Sequence, residues 1–154
     1  MKRIICVVLV VLMMAAALTA CGGSKSVDLK TVMTGVNTAF GLNDLKTLEN
    51  AEDLNRYYQI NTEDVKSFAA EHSTNASVYT EVILIEAKDA TAAGNIKTQL
   101  DAHLATQLGD AKSYHADQVA VLEACSTQQV GNYVFLVISD KFADIVSNIQ
   151  GALK

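Results

Sequence analysis

Proline is absent from all 154 residues, so every turn must be built with Gly, Asn, Asp or Ser. Tryptophan is absent as well, and tyrosine alone must supply large side chains that carry a polar group. No cluster of Lys and Arg interrupts a chain whose formal charge is −5, which sets nucleic-acid binding aside. The glycines beyond residue 23 are all isolated, so no phosphate-cradling loop is present. There is no Gly-x-Ser-x-Gly elbow, and no Ser-x-x-Lys segment at a strand-to-helix junction. The three histidines, His72, His103 and His115, fall in three different predicted elements and not at ligand spacing. These absences predict no catalytic, cofactor-binding or metal-ligating residues, and a protein that is not an enzyme.

What is present begins at the N-terminus. Lys2 and Arg3 precede an apolar run from Ile4 to Ala17, followed by Leu18-Thr19-Ala20-Cys21. The run spans about 21 Å as a helix, short of the roughly 30 Å of a hydrocarbon core. It therefore reads as a signal peptide over residues 1–20, with a lipobox that directs lipid onto Cys21. Acyl chains contribute about 0.8 kcal/mol per buried methylene, so two or more make a stable anchor. Gly22-Gly23-Ser24-Lys25-Ser26 follows as a flexible tether within residues 21–27, reaching at most about 18 Å. The expected location is the extracytoplasmic face of a cell membrane.

Removing residues 1–20 leaves 10 basic against 17 acidic side chains, a charge of −7. Of three cysteines, Cys6 leaves with the signal and Cys21 carries lipid, so Cys125 has no intrachain disulfide partner. It lies among Val121, Leu122 and Ala124, where a thiol acts as a small apolar residue.

Residues 28–154 read as one α+β domain. Leu29, Val32, Met33, Val36 and Phe40 mark one helical face, between Asp28 as N-cap and Gly41 as a stop. Asn50 and Thr62 are candidate caps of short helices. Ser67–His72 pairs with a strand centred on Val82-Ile83-Leu84-Ile85, an unbroken run that suits burial on both faces. A long helix starts at Asp89, carries Ile96, Leu100, Leu104 and Leu108 on one side, and ends at Gly109. Strands at Gln118–Ser126 and Tyr133–Ser139, joined through Gly131, form a second hairpin; Asp140 caps the last helix. The expected fold is a mainly antiparallel sheet of about four strands, two hairpins, packed with amphipathic helices.

Glu81 is the most unusual charge, because it interrupts the face made by Tyr79, Ile83 and Ile85; it must be paired, line a groove, or sit at a solvated strand end. Glu86, five residues on, points to the opposite face and cannot act with it. Tyr57 and Tyr58 are adjacent on a predicted helix, so at least one is partly exposed. Exposed tyrosines suit glycan or peptide recognition. Tyr58, Glu81, Tyr114 and Tyr133 form the expected recognition surface.

Several motifs resemble an uncharacterised family of short lipoproteins of anaerobic Gram-positive bacteria, domain-of-unknown-function family 4358. They are Tyr57-Tyr58-Gln59-Ile60, Thr62-Glu63-Asp64, Glu81 leading into Val82-Ile83-Leu84-Ile85-Glu86-Ala87-Lys88-Asp89, Tyr114 with Gln118, Gly131-Asn132-Tyr133-Val134 and Ser139-Asp140. Similar sequences tend to read Tyr-Gly-Ile where this one has Tyr58-Gln59-Ile60, which takes the glycine out of a tight turn. The resemblance implies a small lipoprotein domain and supplies no activity. Three functions are weighed on these features. The first is a non-enzymatic binding or assembly module with an envelope protein partner, and the second a small-ligand-binding lipoprotein serving a transporter or sensor. The third is a hydrolase, which needs Glu81 beside His115 or Asp117 in a cleft.

Overall fold

The computed structural model describes residues 26–154; the signal, Cys21 and most of the tether lie outside the described residues. Asp28 caps helix α1 (Leu29–Phe40), its Oδ1 accepting from the Lys30 and Thr31 amides, and Gly41 closes the helix at φ +65°. Strand β1 (Leu45–Thr47) and helix α2 (Ala51–Tyr58) follow. A 3-10 turn at Thr62–Asp64, capped by Asn61 and not by Thr62, leads into strand β2 (Val65–Ser73). Strand β3 (Glu81–Ala87) returns antiparallel to it. Asp89 then caps helix α3 (Ala90–Tyr114), with Oδ1 accepting from the Ala92 amide at 2.8 Å.

Helix α4 (Val119–Ala124), strand β4 (Gln128–Val130), strand β5 (Tyr133–Ile138) and helix α5 (Phe142–Ala152) complete the chain. Among the described residues the fold is α+β, with five helices and a five-strand antiparallel sheet of order β1-β2-β3-β5-β4.

The sheet separates two cores because side chains alternate across it. Ile83, Ile85, Val134, Leu136 and Ile138 meet α2, α3 and α4 on the first face. Val82, Leu84, Phe135 and Val137 meet α1 and α5 on the second. Every residue of β3 is buried, as its uninterrupted apolar run predicts for a strand covered on both sides.

Three expectations need correction. Gln118–Ser126 is not a strand: it forms a 3-10 turn and α4, and the first strand of the second hairpin is instead Gln128–Val130. Val119 and Val121 alternate as a strand would, but packing of the segment beside α3 decides in favour of a helical turn. Helix α3 runs through Gly109 to Tyr114, since nothing there opposes an ordinary helical glycine. Lys141, not Asp140, occupies the cap position of α5.

Gln59 ends α2 at φ +56°, a left-handed conformation that favours glycine, with its amide bonded to Asn55 O. The tight turn that the glycine would serve is therefore kept without it. Gln59→Gly is expected to raise stability by up to about 1 kcal/mol by relieving this conformation; chemical denaturation of the variant checks it.

Candidate functional site

The C-terminal end of α2, the start of β3 and the middle of α3 meet at one end of the first face. Glu81, 8% exposed, is held by His103, whose Nε2 lies 2.9 Å from Glu81 Oε2. A carboxylate can only accept, so Nε2 carries the proton. Gln107 Nε2, 3.4 Å from the same nitrogen, cannot then donate to it. Tyr58 stands edge-on to the His103 ring, with centroids 4.7 Å apart at 86°. Burial, and then the negative charge of Glu81, push the Tyr58 phenol well above the usual tyrosine range, so it is a neutral group here.

Beside this pair, Tyr57 stacks obliquely on His72 with centroids 5.2 Å apart. His72 lies directly opposite Glu81 in the β2–β3 ladder and so shares its face. Nδ1 of His72 is 3.0 Å from Ser73 O and donates to it, leaving Nε2 as a buried acceptor with no partner among the described residues. Gln99 Oε1 is likewise buried and unpartnered. A groove of about 320 Å³ opens here, walled by Tyr57, Tyr58, Gln99, His103 and Thr106. Its volume is at the lower end of small-molecule sites. It presents aromatic surface together with a buried acceptor, an arrangement suited to a ligand that carries N–H or O–H donors.

The four residues expected to form one surface do not lie together. Tyr58 and Glu81 meet in this cluster, both buried. Tyr114, 80% exposed, is at the far end of α3. Tyr133 is on the second face, 9% exposed, with its hydroxyl accepting from the Val27 amide at 3.1 Å. Alternation along the sheet separates Tyr133 from Glu81, and helix length separates Tyr114. Glu81 interrupts an apolar face and so calls for a partner, but no local feature of the sequence points to His103. Tyr57 is the exposed member of the adjacent Tyr57-Tyr58 pair, whereas His72 and Gln99 carry no signal beyond their residue types. His115 instead meets Tyr79, edge-on at 5.7 Å, and Glu81 has neither His115 nor Asp117 for a partner.

Two other ionisable groups are placed by the fold. Cys125 Sγ donates to Val121 O at 3.1 Å, and burial pushes its thiol up, away from the reactive thiolate. Glu86, on the second face, receives Lys66 Nζ at 2.7 Å, Ser67 Oγ at 3.0 Å and Ser26 Oγ at 3.4 Å. Burial opposes its ionisation, but these donors together hold the carboxyl below the usual range. The stability it contributes is complete above the ordinary carboxylate range and is lost as pH falls through its depressed value. Glu86→Gln is therefore expected to flatten the acid limb of a stability–pH profile measured by denaturant unfolding. Among the described residues no three His, Cys, Asp or Glu side chains stand where they could hold a metal ion. No helix among them is long and apolar enough to cross a membrane.

A helix–sheet–helix α+β domain with one polar, aromatic-walled groove is the class that this geometry defines. Residues 38–139 match the family described as Domain of unknown function (DUF4358), and the chain belongs to that family. No curated protein and no solved structure matches it.

Proposed function

We propose that this protein is a membrane-anchored, extracytoplasmic lipoprotein of the cell envelope, of the kind made by anaerobic Gram-positive bacteria. Its folded part serves as a non-enzymatic binding or assembly module. The observation that carries the reading is Leu18-Thr19-Ala20-Cys21 behind an apolar run too short to span a bilayer. The domain supports binding over catalysis through the character of its site. The Tyr58 phenol is kept protonated there, the His103 imidazole is engaged by Glu81, and the buried Cys125 thiol lies in a different part of the core.

A second reading, binding of a small ligand on behalf of a transporter or sensor, is favoured by the Tyr57–His103 groove and the unpartnered Gln99 acceptor. The two readings share the anchor and differ in the occupant.

Cell fractionation tests the anchor. The natural chain is expected in the membrane fraction, resistant to high salt and released by detergent, whereas Cys21→Ala is expected in the soluble fraction. Equal membrane retention of the two forms would refute lipid attachment at Cys21. In-cell crosslinking followed by pull-down, with Cys21→Ala as the control, then asks for one stoichiometric envelope partner. A ligand-dependent rise in melting temperature, lost in Tyr57→Ala, would favour the second reading.

A further inference from the structure

The outer edge of β2 is only half covered. β1 pairs with Glu71, His72 and Ser73, and Leu48 adds one further bond, its amide donating to Ala70 O at 2.9 Å. The chain then turns away into α2, so Val65–Ala69 has β3 on one side and, among the described residues, no strand on the other. Backbone direction alternates along a strand. Ser73 N–H points to β3, bonding Thr80 O, whereas Ala70 C=O points to the β1 side. Phe68, two residues before Ala70, accordingly directs its N–H and C=O outward where β1 has already ended. A groove of about 490 Å³ lies along this edge, with Met33 and Lys30 of α1 on one side and Leu48, Glu49 and Ala51 on the other.

Exposed edges are commonly blunted by a lysine or a bulge. Here the register shifts at Lys66, but the Lys66 ammonium is drawn to Glu86 at 2.7 Å and does not guard the open positions. The remaining edge has the elements of strand addition: unpaired main-chain groups, and apolar floor on both sides for alternating side chains.

We propose that the Val65–Ala69 edge receives an extended segment of a partner polypeptide, about four or five residues long, which continues the line of β1. A second copy pairing through these same residues does not fit. Antiparallel pairing of residues 65–69 with themselves sets residue 62 opposite 72 and 64 opposite 70, and β1 with Leu48 already occupies those positions. Charge gives the segment its chemistry. Among the described residues Lys30 and Glu49 have no ion-pair partner, and Glu71, which accepts from Asn37 Nδ2 at 2.7 Å and Thr47 Oγ1 at 3.2 Å, has no cation beside it. Lys30 stands in the first turn of α1, at the end of the sheet where Ser26 meets Glu86, and Glu71 stands where β1 begins. The occupant therefore carries apolar residues at alternate positions, a basic residue at the Glu49–Glu71 end and an acidic one towards Lys30.

Selection of a phage-displayed random decapeptide library against the full chain in detergent tests this. The expected outcome is enrichment of extended, alternating peptides of that charge order, which slow hydrogen exchange at the Phe68 amide. N-methylation of the backbone at alternate peptide residues should weaken binding about tenfold or more. Phe68→Pro, which removes only an outward N–H from the backbone, should do the same; the N-methylated peptides keep the test decisive if that variant folds poorly. No enrichment, protection confined to the Tyr57–His103 groove, or a dimer that protects Phe68 without peptide would each overturn the proposal.

Discussion

His103→Leu is expected to cost about 3–5 kcal/mol of folding stability at neutral pH, because it leaves the Glu81 carboxylate buried without its donor. Glu81→Gln should cost much less, on the order of 1 kcal/mol, since the amide oxygen can still accept from His103 Nε2. The double variant should recover most of the loss seen in His103→Leu, the coupling expected of two side chains in direct contact. Denaturant midpoints for the four chains at pH 7 would show this. A His103→Leu deficit no larger than that of Glu81→Gln would mean that the pair is solvated rather than buried.

The second large effect concerns the two cores. Leu100 of α3 and Ile145 of α5 are both fully buried, on opposite faces of the sheet. Each truncation to alanine is expected to cost about 2–5 kcal/mol. The sites lie in separate core clusters on opposite faces, so the losses should add, to about 4–10 kcal/mol. Domains of this size commonly have only about 5–15 kcal/mol in all. Each single variant is thus expected to fold, and the double to lose about as much stability as the two singles together, as circular dichroism and denaturant titration would show. A double variant no less stable than the weaker single one would mean that the two layers do not contribute independently.

What was legible in the sequence follows from how strongly each segment's pattern excludes alternatives. Val82-Ile83-Leu84-Ile85 has no polar side to turn outward, so only a strand buried on both faces accommodates it, and that is its place. Leu100 and Ile96 recur at helical spacing and lie on the core face of α3. Gln118–Ser126 reads as a strand because Val119 and Val121 alternate, yet contact with α3 makes it helical. Leu45–Thr47 and Gln128–Val130 are three-residue edge strands, too short for either period to show. The site was half legible. Glu81 announced itself by breaking an apolar face, but its partner is 22 residues away on another element. Nothing local links His103, Tyr57 or Gln99 to it; only the packing of α2 and α3 on the sheet does.

The way the chain enters the domain has a geometric consequence. Ser26 and Val27 are held at the Glu86–Tyr133 end of the central strands, whereas the Tyr57–His103 groove lies at the Glu81 end. Five residue steps of β3 separate them, roughly 17 Å at 3.3 Å per step. On the proposed reading, lipid on Cys21 with so few residues before the chain is docked would stand the domain on the bilayer with Glu86 downward and the groove upward. Whatever fills that groove would then approach from the space beyond the membrane and not from among the lipids, so the protein's reach would be set by the height of one small sheet.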